Sequence, residues 1–244
     1  MKAVIMAGGL GKRLQPLTRI LPKPLLPVGN ESVLEIQIVN LRASGVEEII
    51  LALGHKPELF LAYFGDGSKW GLKIHYSIER QPLGTAGPLT LLREHLDAPF
   101  LVVNGDILTD MDYGALWRQH VEEGADLTVT TTSVKLPLEY GVIRHRGRRI
   151  LDIEEKTSLE AEINAGIYCI DPSVVDRMPV DTFVSMDTLL RQLIADERTV
   201  SRYSFDGYWL DIGQMANYEK ANEMCALAEA GEGATVLAWR RAGA

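Results

Sequence analysis

Compact apolar runs and amphipathic stretches alternate through the first hundred residues. Lys2-Ala-Val-Ile-Met6 is short, β-branched and stopped by glycine, which predicts a buried strand. A helical pattern then covers Ser32 to Ser44, followed by a strand pattern over Glu48 to Leu53 and a helix after Pro57. A strand from Lys73 to Ile78, a helix near Leu89 to His95 and a strand from Pro99 to Asn104 complete this half. Such alternation predicts an α/β fold: a Rossmann-like, mainly parallel central sheet with helices on both faces. Ligands of sheets of this kind lie outside the carboxyl ends of the strands.

The second half is richer in strands, at Leu127 to Val134, Gly141 to His145, Ile150 to Glu154, Ile163 to Ile170 and Val200 to Phe205. It reads as an inserted, smaller β region that completes a pocket. No repeat, low-complexity tract or linker divides the chain, so one domain is expected over residues 1–230. Residues 231–244, with three glycines and Arg240-Arg241, read as a loose tail.

The first strand delivers the chain into Ala7-Gly8-Gly9-Leu10-Gly11-Lys12-Arg13-Leu14. Glycines tolerate positive φ and let successive N–H groups converge, which makes a concave anion site. Arg13 adds a forked, permanent cation. About ten residues on, Lys23 stands between Pro22 and Pro24, which predicts a stiff, extended presentation with little entropy left to lose. A lysine between prolines is ordinarily a solvated linker residue; beside a phosphate loop it becomes half of a site.

Two commoner phosphate loops fail on spacing. Gly11-Lys12 is followed by Arg13, so the hydroxyl of a Walker loop is missing. Leu14 stands where the dinucleotide fingerprint needs its third glycine, which argues against a nicotinamide dehydrogenase.

Bulk properties narrow the reading less. The 244 residues, 46% hydrophobic and 24% charged, describe an ordinary globular chain with an ample core. A net charge of −8 argues against a nucleic-acid partner, since neutralising a polynucleotide needs clustered Lys and Arg. Lys12, Arg13, Arg19 and Lys23 run the other way locally and suit a small polyphosphate. No apolar stretch approaches the roughly 20 residues of a membrane helix, and the N-terminal run is too short for a secretory signal. No membrane association and a cytoplasmic location are therefore expected. Cys169 and Cys225 read as reduced core or helix-face residues.

The Gly-Gly-x-Gly-x-Arg-Leu loop followed by Pro-Lys-Pro-Leu resembles the sugar-phosphate nucleotidylyltransferases, and the resemblance continues at further stations to about Tyr218. It implies a nucleotide-binding part over residues 1–110 and a sugar-phosphate-binding part over 111–230. The next station is Glu79-Arg80-Gln81-Pro82-Leu83-Gly84-Thr85-Ala86-Gly87-Pro88-Leu89. Read alone it is a turn in which Thr85 caps a helix; the family places a nucleobase contact here. The Pro-Leu-Gly-Thr-Ala-Gly form is similar to guanylyltransferases for mannose and related sugar phosphates. With Asn104 and Gly105 at the end of the most apolar strand, these positions make up the implied nucleotide site.

Asp106 is either a turn residue or a magnesium ligand, for Mg²⁺ takes one or two protein carboxylates and fills its shell with water and phosphate. The resemblance implies Asp211, in Trp209-Leu210-Asp211-Ile212-Gly213, as the second ligand. Asp110-Met111-Asp112 offers a competing match, the Asp-x-Asp element of glycosyltransferases of related fold, although these residues also suit a cap for a helix from Tyr113 to Glu123. On the sugar-phosphate side the resemblance implies that Gly141 approaches the sugar, Glu155 accepts its hydroxyl hydrogens, Lys156 holds its phosphate and Asn164 orients the ring. Thr157 replaces a usual proline after this lysine, and Lys12 a usual threonine or serine.

The reaction so implied joins a nucleoside triphosphate, GTP first, to a mannose- or heptose-type sugar 1-phosphate. Sugar 1-phosphate is mostly dianionic at neutral pH, with a second pKa of about 6, so it needs no protein base and catalysis reduces to positioning and charge neutralisation. Arg13 and the glycine loop would hold pyrophosphate, Lys23 the α-phosphate, and Mg²⁺ on Asp106 and Asp211 would bridge the substrates. Thymidylyl or uridylyl transfer to a glucose-type phosphate, a glycosyltransferase and a non-catalytic regulatory homologue are the alternatives. The chain carries no recognisable β-helix extension and reads as a minimal catalytic unit. Oligomeric state stays open.

Overall fold

The computed structural model describes residues 1–229, so the expected tail lies outside the described residues. In chain order the elements are β1 (Lys2–Ala7), a small hairpin of β2 (Pro27–Val28) and β3 (Glu31–Ser32), α1 (Val33–Ala43), β4 (Glu48–Leu53), α2 (Pro57–Phe64) and β5 (Lys73–Ile78). Then follow β6 (Phe100–Asn104), β7 (Ile107–Thr109), α3 (Tyr113–Glu123), β8 (Leu127–Pro137), β9 (Val142–Arg146), β10 (Arg149–Glu154) and β11 (Ser158–Ile170). The described chain closes with α4 (Pro172–Asp176), α5 (Met186–Ala195), β12 (Val200–Ser204), β13 (Trp209–Asp211) and α6 (Met215–Glu229).

Seven strands form one sheet in the order β12-β8-β11-β6-β1-β4-β5. β1 pairs in parallel with β4 and β6, β4 with β5, and β12 with β8; β11 runs against both β6 and β8. The mainly parallel α/β expectation therefore holds. Strand β1 shows why both faces are covered. Ala3, Ile5 and Ala7 join a core with α1, α2 and α3, whereas Val4 joins a second core with Leu89, Val174 and Leu189. Period-two alternation thus feeds two apolar layers, and the strand reads as one continuous apolar run.

Two expectations need correction. The helix near Leu89 to His95 is a run of 3-10 turns over Gly87–His95. Pro88 lacks an N–H, and the Thr90 hydroxyl donates to the Gly87 carbonyl at 2.8 Å, so α-type bonding is pre-empted at its start. Lys23 is not extended; it opens a 3-10 turn, Lys23–Leu25, closed by Leu25 N–H to Pro22 O and Leu26 N–H to Lys23 O. These two bonds outweigh the bias that Pro24 imposes, and the segment stays stiff for a different reason.

The expected inserted β region is built partly onto the central sheet. β8, β11 and β12 extend the central one, and what projects is an arm: the outer halves of β8 and β11 together with the β9–β10 hairpin. A bulge makes the division. Between Asn164 and Tyr168 β11 advances four residues while β8 moves only from Thr131 to Val129. Gly166 in the bulge has φ +72, and a Cβ there would sit 2.5 Å from Asn104 Nδ2. Residues 165–170 are buried and the outer half of β11 is largely exposed.

Candidate active site

The carboxyl ends of β1, β4 and β6 open on a cavity of about 620 Å³. Ala7, Gly8, Gly9, Gly11, Lys12, Lys23, Gln81, Pro82, Gly84, Thr85, Asn104, Gly105 and Asp106 line it, so the stations expected to form the nucleotide site converge. In the glycine loop, Gly11 takes φ +59 and caps a 3-10 turn over Lys12–Leu14. Its carbonyl accepts the Thr18 hydroxyl at 2.8 Å, and a Cβ at Gly11 would stand 2.8 Å from Thr18 Cγ2. Only glycine fits that turn.

Lys23 forms an ion pair with Asp106, their side chains 17% and 16% exposed. Gly105 N–H donates to Met6 O and Ile212 N–H to Asp106 O, each at 3.0 Å, tying the end of β6 to both β1 and the strand that carries Asp211. β13 pairs antiparallel with β7, setting Asp211 opposite Ile107. Gly213 N–H donates to Asp211 Oδ1 at 2.6 Å, and Asn217 holds the Asp211 carbonyl at 2.7 Å. Arg13 approaches from the loop: a Cβ on Gly213 would meet Asp211 Oδ1 at 2.8 Å and Arg13 Nη2 at 2.9 Å. Arg13 and Asp211 therefore flank Gly213 rather than line the cavity.

Burial, and then the charge of Asp106, push the Asp211 carboxyl above its usual range; the Gly213 N–H, Lys23 and Arg13 act the other way. Asp106 and Asp211 offer carboxylate oxygens only, the first paired with Lys23 and the second near Arg13. Among the described residues no cluster of three or more His, Cys, Asp or Glu forms a metal site. A pair is what a hard cation that keeps water and phosphate ligands requires.

The base-side turn is built from residues that its sequence hides. Segment 181–186 is zipped to it: Val184 N–H donates to Leu83 O, Ala86 and Gly87 N–H both donate to Val184 O, and Met186 N–H donates to Thr85 Oγ1. Thr85 thus caps the chain entering α5 and does not cap its own helix. Glu79, inside that station but given no role of its own by the sequence, and Phe183, outside every motif, line the cavity with His55 and Arg80. Glu79 Oε2 accepts Leu83 N–H at 3.0 Å, while Cβ atoms on Gly8 and Gly54 would stand 2.7 and 2.5 Å from its Oε1. A glutamate at the end of a strand reads as solvated; the two distant glycines that make room for it carry the missing signal.

The sugar-side residues are placed differently. Gly141, Glu155 and Lys156 lie exposed on the arm, away from the cavity lining, with Lys156 at φ +54. Gly141 and Glu155 are neighbours, a Cβ on the glycine standing 3.9 Å from Glu155 Cγ. Asn164 sits at the bulge, donating to the Tyr168 hydroxyl at 2.8 Å and accepting Gly166 N–H at 2.9 Å. The competing Asp-x-Asp match is accounted for structurally. Asp112 caps α3 through Gly114 and Ala115 N–H, and Asp110 accepts Tyr208 N–H at 2.8 Å. Cys169 and Cys225 are buried free thiols, and burial pushes the Cys169 thiol far above its usual value.

The family model described as nucleotidyl transferase matches residues 2–227. The chain belongs to this family. Among curated members, the mannose-1-phosphate guanyltransferase of Yarrowia lipolytica is 41% identical over 229 residues, covering 89% of this chain and 62% of that protein. The chain thus spans about three fifths of the length of such relatives. Two solved structures share the fold. HddC from Yersinia pseudotuberculosis, complexed with GMP-PN, aligns with TM-score 0.73 at 27% identity, covering 91% of this chain and 98% of its own. A Bacillus anthracis protein provisionally named a glucose-1-phosphate thymidylyltransferase, bound to sucrose, aligns with TM-score 0.75 at 25% identity, covering 92% and 94%. Among the described residues no helix is long and apolar enough to cross a membrane.

Proposed function

We propose that this member of the family transfers a nucleotidyl group from GTP to a mannose- or heptose-type sugar 1-phosphate, releasing pyrophosphate. The observation that carries this reading is the single cavity joining the glycine loop, the Lys23–Asp106 pair and the Glu79–Gly84 turn. The names of the guanyltransferase relatives and the GMP-PN complex of the structural neighbour support the nucleotide choice. So does Glu79. Guanine presents two adjacent donors, N1–H and the N2 amino group, and a carboxylate at the cavity wall is a pure acceptor that matches them.

In the proposed reaction the sugar-phosphate oxygen attacks the α-phosphorus, and the bond to the β-phosphate oxygen breaks, its electron pair leaving with pyrophosphate. The glycine loop with Lys12 and Arg13 takes the leaving pyrophosphate, and Lys23 neutralises charge on the α-phosphate. Mg²⁺ held by Asp106 and Asp211 would supply charge neutralisation between the two anions. Lys156 holds the attacking phosphate and Glu155 a sugar hydroxyl; Gly141 and Asn164 complete this half, so residues 1–110 serve the nucleotide and 111–230 chiefly the sugar phosphate, with Phe183 of the second part closing the nucleotide cavity and Asp211 completing the metal pair.

Pyrophosphate release tests the reading, measured with Mg²⁺ across GTP, dTTP, UTP, CTP and ATP against mannose, heptose, glucose and N-acetylglucosamine 1-phosphates. Release that needs both substrates and is fastest with GTP and a mannose-type phosphate is expected. Release fastest with dTTP or UTP and glucose 1-phosphate would favour the second reading, which the B. anthracis neighbour supports. Sugar-nucleotide binding without release would sink both.

A further inference from the structure

Helix α1 packs its apolar residues on the sheet, yet two of its amide side chains are as buried as its leucines: Gln37 and Asn40 are each 2% exposed. A buried amide needs partners. Gln37 Nε2 donates to Asn104 O and to Ile107 O, both at 2.8 Å. One turn on, Asn40 Nδ2 donates to Thr109 O at 3.1 Å. The orientation of the Gln37 amide is forced, because two carbonyls face it and only its nitrogen can donate to both. Among the described residues Gln37 Oε1 has no hydrogen-bond partner.

The two carbonyls bracket Gly105 and Asp106, so one NH₂ group spans the whole turn that presents the Asp106 carboxylate. The other attachments of α1 reach the remaining charged groups. Val33 N–H, at its start, donates to Leu26 O at 3.2 Å and anchors the turn that carries Lys23. β7, which Gln37 and Asn40 hold by its ends, pairs with β13 and so fixes Asp211. Lys23, Asp106 and Asp211 come from segments far apart in the chain, and α1 is the rigid body to which all three are referred. Gln37 itself does not line the cavity.

We propose that Gln37 is a positioning residue: it sets the spacing of the Asp106 and Asp211 carboxylates for the divalent cation without touching cation or substrate. This rests on the reading of the two aspartates as the metal pair. Removing an outer partner of a metal ligand typically costs 10- to 100-fold in metal affinity.

The test measures Mn²⁺ binding by electron paramagnetic resonance on the full chain with GTP present and sugar phosphate absent, alongside melting temperature. Gln37→Met keeps the length and removes both donors; Gln37→Glu keeps the length and, protonated in this buried setting, one donation. Leu41→Ala, a fully buried position on the same helix, controls for lost packing. The expected result is Mn²⁺ binding weakened about tenfold or more in Gln37→Met, less in Gln37→Glu, and unchanged in Leu41→Ala even where its melting temperature falls as far. The half-saturating Mg²⁺ concentration in turnover rises by the same factors, with KM for the sugar phosphate held. Wild-type affinity in both Gln37 variants, or equal weakening in Leu41→Ala, overturns the proposal. If Asp106→Ala binds Mn²⁺ as the wild type does, the metal reading itself falls and takes the proposal with it.

Discussion

At the cavity, Lys23 and Asp106 are 17% and 16% exposed, and their loops are cross-tied to β1, α1 and β13. On the arm, Gly141, Glu155 and Lys156 stand in solvent on a hairpin whose apolar side chains are themselves uncovered, Leu151 at 60% and Ile153 at 57% exposed. The cavity end is organised before any ligand arrives, because buried strand ends leave its side chains little freedom to lose. The arm has few such ties, so in the proposed reaction its order would come largely from the sugar phosphate it grips. A rigid half suits the nucleotide, whose triphosphate demands converging donors; a looser half suits an acceptor gripped by a few polar groups.

That contrast can be broken by substitution, beginning with the largest expected effect. Asp106→Ala should lower turnover by roughly 10³-fold, the loss of several kcal/mol of charge stabilisation, without unfolding the chain; near-normal turnover in pyrophosphate release would remove Asp106 from the chemistry. Glu79→Gln should cut kcat/KM for GTP by about 100-fold. Because glutamine offers both a donor and an acceptor, the competition between GTP and UTP should move towards UTP. An unchanged GTP:UTP ratio would show that the carboxylate only supports the Leu83 turn.

Lys156→Ala tests the other half. It should raise KM for the sugar phosphate roughly tenfold, the scale of a hydrogen bond to a charged group, and leave KM for GTP alone. A matching rise for GTP would mean that the two halves are not separate.

The smallest effect belongs to the root of the arm, where His120 on α3 is 1% exposed with Nδ1 2.8 Å from Thr128 Oγ1 of β8. Burial holds this imidazole below its ordinary pKa, against the pull of Asp171, Glu123 and Asp126. The folded state therefore binds fewer protons than the unfolded one. Stability is complete above the unfolded pKa of about 6.5 and is lost as pH falls below it. The melting temperature should drop between pH 7.5 and 5.5, and His120→Gln should flatten that drop. An equally steep drop in the variant would assign the acid sensitivity elsewhere.

Most of the cavity could be read before the structure, because its chemistry leaves composition marks: glycines where backbone must approach ligand, and a lysine framed by prolines. Asp106 was legible because it ends the most apolar strand. Glu79 was not, since a charged residue after a strand looks solvated until Gly8 and Gly54 are seen to vacate the space beside it. Gln37 and Asn40 were hidden by the helical pattern itself, which shows that a face is buried but not that two turn carbonyls wait beneath it. That the strand-rich half holds an inserted β region was legible, but not which of its strands join the central sheet, because period-two alternation marks a strand without naming its neighbour. Membership of β8, β11 and β12 in the central sheet depends on long-range pairing that local pattern does not encode.

The bulge at Asn164–Tyr168 has a bearing on how new enzymes could be made from this one. Inside it, β11 is scaffold, paired to β6 and sealed by Gly166 against Asn104; outside it, the same strand belongs to the arm. A graft of residues 132–163 from a relative would begin and end next to each other, across the Thr131–Asn164 pairing. Under the proposed function such an exchange would carry over a foreign acceptor grip while every bond around Asp106 is inherited intact, and the backbone bulge would be the seam between the two substrate sites.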